Sequence, residues 1–152
     1  MSSFWDRLRV PLFNEHAELS ETLMLLSRIF VEAIDLEALR KDLPVEKTHD
    51  EKGGALGSIV VFCSWMEEIL GLSKGTENRL KESLQRLQAV RSKVGAAHRF
   101  SDSAYAEVVS KLGLTQGASA KSIFLAVARP LANVLATICR ELRCTHELWW
   151  LE

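Results

Sequence analysis

The apolar positions of the chain recur every three or four residues along most of its length, and strictly alternating runs are almost absent. The first pattern is typical of amphipathic helices and the second of strands, so the chain is predicted to be almost entirely helical. Pro, Gly and N-cap residues separate the periodic segments. The predicted helices run from Asn14 to about Leu43, Asp50 to Leu72, Thr76 to His98, Ser101 or Ser103 to Leu112 or Gly113, and Ser119 to Trp150.

These segments predict an all-α fold: a largely up-and-down bundle of four long helices plus a short fifth helix, in one domain over residues 1–152. Residues 35–43 are an alternative, separate helical segment that Pro44 ends. The second helix is apolar on most sides and opens with small residues at Gly53, Gly54 and Gly57, so we expect it to be central and most buried. Pro130 predicts a kink in the last helix.

The composition fits one soluble domain. The chain has 152 residues, of which 47% are hydrophobic and 26% charged, and this balance excludes collagen-like, disordered and disulfide-scaffold classes. Three cysteines without a Cys-x-x-Cys pair indicate reduced thiols. The first nine residues are charged rather than typical of a signal peptide, and the longest nearly uncharged apolar stretch, residues 53–66, is too short to span a bilayer. We therefore expect a cytoplasmic protein with no membrane partner.

The sequence lacks the usual signatures of metal and nucleotide sites. It contains no glycine-rich phosphate loop, no His-Glu-x-x-His motif and no paired cysteine ligands. One Glu-x-x-His motif, Glu46 to His49, lies in a charged connector, whereas a di-iron bundle needs two such motifs and two further carboxylates. We predict neither a metal ion nor another cofactor.

Two polar residues interrupt the apolar face of the third predicted helix. The apolar members of that face are Leu80, Leu84, Leu87 and Val94. The same helical repeat assigns the next positions to Arg91 and His98, which are seven residues apart and therefore point within about 20° of each other. Gly95 lies between them and removes side-chain bulk. The sequence thus predicts a cation and an imidazole together on a face that should be core.

This pair has a chemical use on RNA. A histidine can take or give a proton near neutral pH, and an arginine can stabilise a pentavalent phosphorane. Attack of an RNA 2′-hydroxyl on its own phosphate needs both a base and an acid, and one chain offers one well-placed histidine. A two-fold dimer would supply the second copy and a shared groove.

At these residues the sequence resembles the HEPN superfamily of small helical-bundle ribonucleases and RNA-binding domains, whose hallmark is Arg-x4-6-His at the end of a bundle helix. The resemblance implies a metal-independent endoribonuclease that leaves cyclic-phosphate ends, acts as a homodimer and uses Arg91 and His98 as catalytic residues. It also implies RNA contacts at the adjoining Ser92, Lys93 and Arg99. Bacterial members are often toxins or phage-defence proteins, so RNA and a protein antitoxin or regulator are the expected partners.

Two positions depart from the pattern of that family, and two other pairs share its spacing. Ser92 follows Arg91 where catalytic members most often carry Asn, Asp or His, and Phe100 stands where some toxins carry Tyr. Arg9 and His16 also match the spacing, but Pro11 interrupts them. The last matching pair is Arg140 and His146, and six residues place these side chains about 120° apart on one helix.

Other interpretations of the same residues remain open. In one, Arg91 pairs with a carboxylate such as Asp102 or Glu68, and His98 closes a helix end. The protein would then be a non-catalytic module that dimerises or binds a protein partner, through this face or through Trp149 and Trp150. A weaker alternative is a bundle that encloses a small ligand or a metal ion.

The charge is unevenly distributed along the chain. The formal net charge of −1 argues by itself against nucleic acid as a partner. Residues 1–70, however, carry a net charge of −6, residues 71–99 carry +5, and residues 100–152 are balanced. A polyanion would therefore be attracted to the helix that contains Arg91, and the average charge no longer opposes RNA binding.

Overall fold

The computed structural model of the chain describes residues 16–95 and 102–148, and most of these residues are helical. The helices are α1 (His16–Ser27), α2 (Leu36–Asp42), α3 (Val45–Thr48), α4 (Ser58–Glu68), α5 (Lys74–Gly95), α6 (Asp102–Lys111) and α7 (Ala120–Leu148). A π-helical turn, Arg28–Glu32, continues α1. No strand occurs in this part of the chain, where one isolated β-bridge joins His49 and Ala55. The prediction of an all-α helical bundle is confirmed.

Local side-chain chemistry explains where several of these helices begin and end. The Asp35 carboxylate accepts the backbone N–H of Ala38 at 3.1 Å and caps α2. The Ser119 hydroxyl accepts the N–H of Ser122 at 3.1 Å, so α7 begins where the sequence predicted. Gly71, with φ of +69°, follows α4 in the left-handed conformation that a residue without a Cβ adopts at little cost.

Two of the predicted helices are wrong in extent. The first predicted helix, to about Leu43, is interrupted after the π-helical turn, so the alternative of a separate helix before Pro44 is correct. The second begins at Ser58 rather than Asp50, and its three predicted opening glycines lie outside it. The Asp50 carboxylate instead accepts the N–H groups of Lys52 and Gly54, at 2.9 and 2.7 Å, and holds the preceding segment in a turn.

The chain divides into two compact units whose boundaries fall within α5 and α7. Among the described residues, the first unit contains 16–33, 85–95 and 102–130, and the second contains 34–84 and 131–148. In the second unit, α2 and α3 both pack against α4. Two continuous helices thus contribute to both units, while the third boundary lies between Ala33 and Ile34, after the π-helical turn. A single domain over residues 1–152 stays a prediction.

Each unit has its own buried apolar residues. Those of the first unit include Leu19, Leu23, Leu26, Leu87, Val90, Val108, Val109, Ile123 and Val127. Those of the second include Ile59, Val61, Met66, Leu72, Leu80, Leu84, Leu131, Val134 and Ile138. Helix α5 supplies buried leucines to both sets: Leu87 to the first, and Leu80 and Leu84 to the second.

Helix α7 is long and apolar enough to cross a membrane when only its length and composition are considered. An 18-residue window within residues 120–143 has a mean hydropathy of 1.7, so the prediction that residues 53–66 form the longest nearly uncharged apolar stretch is wrong. A mostly buried core helix of a soluble protein meets the same criterion, and 33% of this window is buried. Buried residues recur every three or four positions from Ala120 to Ile138, so the structure is consistent with a soluble protein. A cytoplasmic location stays a prediction.

Cysteine placement in the described residues agrees with the predicted reduced thiols. Cys63 and Cys139 are both free, with Cys63 buried and Cys139 exposed. Burial raises the pKa of the Cys63 thiol to about 12, and the negative charge of Glu77 acts in the same direction. Cys63 is therefore protonated at neutral pH.

Candidate functional site

Arg91 lies one turn beyond the buried Leu87 on α5. Eleven residues separate it from Leu80, so the two side chains point within about 20° of each other on the helix. The Arg91 side chain is 35% exposed, whereas Leu80, Leu84 and Leu87 are at most 1% exposed. The guanidinium is thus at the edge of the buried face, where solvent or a ligand can reach part of it.

The partner of Arg91 is Glu32, at the end of the π-helical turn. Arg91 Nη2 lies 2.8 Å from Glu32 Oε1 in an ion pair whose two side chains are 35% and 42% exposed. A carboxylate partner for Arg91 was one of the alternatives predicted from the sequence, with Asp102 or Glu68 as candidates, but the Glu68 carboxylate pairs with Lys47 at 2.7 Å. Glu32 was missed because it was placed within a continuous first helix, where nothing distinguishes it from other surface glutamates.

Ser92 and Lys93 point away from Arg91. Residues one and two positions further along a helix are rotated by about 100° and 200°, so neither shares its face. The exposed Ser92 hydroxyl donates to the Ala89 carbonyl at 2.9 Å, within α5 itself. Lys93 Nζ lies 3.0 Å from Glu107 Oε2 on α6. The structure therefore does not bring the two predicted RNA contacts onto the Arg91 face.

Glu107 is shared between two lysines. Its other oxygen lies 2.8 Å from Lys111 Nζ, one turn later on α6. The hydrogen bonds from Lys111 and then Lys93 lower the pKa of the Glu107 carboxyl below its ordinary value. These three side chains together carry a net charge of +1, and all are partly exposed to solvent.

The other predicted residues of the site lie outside the described part of the chain. These are His98 and Arg99, together with Phe100. The described part of α5 ends at Gly95, three residues before His98, so the structure fixes the start of the Arg-x4-6-His segment and its cation. The pairing of Arg91 with His98 stays a prediction.

The described residues offer little for a metal ion. Among residues 16–95 and 102–148, no group of three or more His, Cys, Asp or Glu side chains is placed to hold one. In the lone Glu-x-x-His segment, Glu46 is exposed, and His49 Nδ1 lies 2.9 Å from the Thr48 hydroxyl. Of the two predicted catalytic residues, the structure thus describes Arg91 and its ion pair with Glu32.

No protein-family model, curated protein or solved structure matches this chain.

Proposed function

We propose that the protein is a metal-independent endoribonuclease of the HEPN type that acts as a homodimer, with Arg91 and His98 as its catalytic residues. The observation that carries the proposal is the placement of Arg91, half-buried at the edge of the α5 core face and directly before the segment that contains His98. Its Nη2 nitrogen lies 2.8 Å from Glu32 Oε1, and a guanidinium carries five N–H donors in all.

The chemistry follows from these groups. His98 of one copy takes the proton of an RNA 2′-hydroxyl, whose oxygen attacks the adjacent phosphorus. Arg91 stabilises the negative charge of the phosphorane, and the bond to the 5′-oxygen breaks as that oxygen receives a proton from the second copy's histidine. The products are a 2′,3′-cyclic phosphate and a 5′-hydroxyl. A toxin or phage-defence role restrained by a protein partner would fit such an activity.

Replacement of either catalytic residue tests this proposal. We expect His98→Ala to reduce the rate of RNA cleavage by about 10²- to 10⁴-fold, because a general acid–base group contributes that much. Arg91→Ala should reduce it similarly, since it removes the charge that stabilises the phosphorane. The measurement is the single-turnover cleavage rate of a labelled RNA in EDTA, with dimer and helical content checked for each variant.

The chain offers a matched control at Arg140 and His146, the last of the pairs that share the spacing of the motif. Arg140 is exposed and donates to its own helix, at the carbonyl of Ala136 and the hydroxyl of Thr137. Arg140→Ala and His146→Ala remove the same residue types and should leave cleavage unchanged. Wild-type cleavage by a folded, dimeric His98→Ala variant would overturn the nuclease proposal.

A second candidate function is a non-catalytic helical module that dimerises or binds a protein. It is favoured by one observation: two cations of the motif segment are already paired within the chain. Arg91 pairs with Glu32, and Lys93 pairs with Glu107. This module would degrade no RNA at any protein concentration.

A further inference from the structure

The π-helical turn after α1 changes which side chains share a face. Its hydrogen bond runs from the Ala33 N–H to the Arg28 carbonyl, at 3.0 Å and over five residues. In a regular α-helix, residues five apart point about 140° away from each other. Here the Ser27 hydroxyl and Glu32 Oε1, also five residues apart, lie 3.5 Å from each other. The wider turn therefore brings Glu32 onto the side of Ser27.

Glu32 is itself supported where it meets Arg91. Ser27 is 1% exposed and donates to the same carboxylate oxygen that pairs with Arg91 Nη2. At 3.5 Å this hydrogen bond is long, so it adds a weak second contact to the carboxylate oxygen that faces Arg91. Short π-helical turns are frequent at functional sites, and this one places a charged group against a candidate catalytic residue.

The contact between the two charges leaves much of the guanidinium available. Glu32 uses one oxygen and Arg91 uses one nitrogen, whereas arginine can bind a carboxylate or a phosphate through two parallel hydrogen bonds. If Glu32 instead inhibited Arg91 by imitating a phosphate, its carboxylate would be expected to accept both parallel hydrogen bonds from the guanidinium. The one-point contact instead fits a group that orients the arginine.

We propose that Glu32 is a positioning residue that holds the Arg91 guanidinium ready for a phosphodiester of RNA. This inference rests on the proposed function, because it assigns a role relative to the same arginine. Simple electrostatics predicts the opposite effect, since removing a negative charge should tighten the binding of a polyanion. The direction of the change therefore separates orientation from charge.

The experiment measures the binding of an uncleavable RNA to the full chain. The probe is a fluorescein-labelled, fully 2′-O-methylated oligonucleotide, and its dissociation constant is obtained from anisotropy at fixed salt. We expect Glu32→Gln to weaken binding about three- to tenfold, the cost of immobilising one flexible side chain on binding. The matched control is Glu82→Gln, which removes one negative charge from the exposed side of α5 and should leave binding unchanged or tighter.

A double-variant comparison separates orientation from a general structural effect. In an Arg91→Ala background, Glu32→Gln should cause no further loss, because the side chain that it positions is absent. Equal weakening in both backgrounds, or unchanged or tighter binding by Glu32→Gln alone, would overturn the inference, as would RNA binding that is independent of Arg91. Failure of the nuclease proposal alone has another signature: Arg91-dependent binding without cleavage of unmodified RNA.

Discussion

At the scale of single residues, the clearest polar network surrounds Glu141 of α7, at the beginning of α5. Its carboxylate accepts the Thr76 hydroxyl at 2.6 Å and the Ser73 N–H and hydroxyl at 3.1 and 3.0 Å. Thr76 is fully buried and also receives a hydrogen bond from Arg79. The sequence predicted Thr76 as the N-cap of this helix, whereas α5 begins at Lys74. Glu141, from a distant part of the chain, accepts the hydrogen bonds of Ser73 and Thr76 at this helix start.

We predict that Glu141→Ala lowers the free energy of unfolding by about 1–2 kcal/mol at pH 7, the usual cost of losing a helix cap with charged hydrogen bonds. The hydrogen bond from Thr76 is the largest cause that lowers the pKa of Glu141; the Ser73 donors add to it, and burial opposes it. A carboxyl with a lowered folded-state pKa stabilises the protein above its unfolded pKa, and this contribution is lost as the pH falls through the folded value.

Urea denaturation at pH 7 and at about pH 3.5, below the ordinary pKa of a glutamate, checks both the size and the sign. The difference between wild type and Glu141→Ala should be smaller at the lower pH. Glu46→Ala, which removes an exposed glutamate from α3, serves as the control. An equal cost at both pH values would contradict the assignment of the effect to the ionised carboxylate.

At the scale of elements, the segment between α3 and α4 shows how a side chain can prevent a helix. In addition to the contacts of the Asp50 carboxylate, the backbone N–H of Asp50 donates to the Gly54 carbonyl at 2.8 Å. The Leu56 N–H donates to the Thr48 carbonyl, also at 2.8 Å. Gly53 adopts a φ of +78°, in the left-handed region. These bonds close a compact turn and leave Gly57 as the residue that precedes α4.

We predict that Gly53→Ala lowers the free energy of unfolding by about 1–2 kcal/mol, because a Cβ is disfavoured at its positive φ. Gly57→Ala is the matched control. Gly57 has a φ of −71°, and a Cβ built there meets no atom within 4 Å, so this change should stay within about 0.5 kcal/mol. Chemical denaturation of both variants provides the measurement, and equal stabilities would show that the backbone of Gly53 is not restrictive.

These elements show what the sequence can and cannot predict. Helical periodicity was sufficient for the all-α class and for α7, because these depend on local residue spacing. It failed at Asp50 and at Glu32, since an aspartate that closes a turn and a widened π-helical turn leave the apolar pattern nearly unchanged. The spacing also placed Arg91 on the face that should be core, but its partner is 59 positions away, and pairings at that distance depend on tertiary packing.

At the scale of the whole molecule, positive charge collects in one segment of a nearly neutral protein. Residues 71–99 hold seven basic and two acidic side chains, although the chain as a whole has a net charge of −1. Several of these cations are exposed on α5, including Arg79, Arg86 and Lys93. A partner that binds through phosphate groups would respond to this concentration of charge and would therefore respond to salt.

We predict that RNA binding weakens linearly with salt on a double-logarithmic scale, with a slope of about −2 to −3. This value corresponds to three or four phosphates neutralised on a single strand. Anisotropy titrations of the uncleavable oligonucleotide at increasing NaCl concentrations measure the slope. Arg86→Ala should make it shallower by somewhat less than one, whereas a protein-binding module would recognise its partner with little dependence on salt.

The alkylation rates of the two free thiols, Cys63 and Cys139, can report on opening of the folded chain. A thiol reacts with electrophiles as its thiolate. Cys63 is protected from such reagents in two ways: it is buried in α4, and its pKa, raised to about 12, keeps it protonated. Cys139 is exposed on α7, so burial does not protect its thiol. The alkylation rate of Cys139 therefore depends on the reactivity of the reagent. The alkylation rate of Cys63 depends in addition on the opening of the second unit.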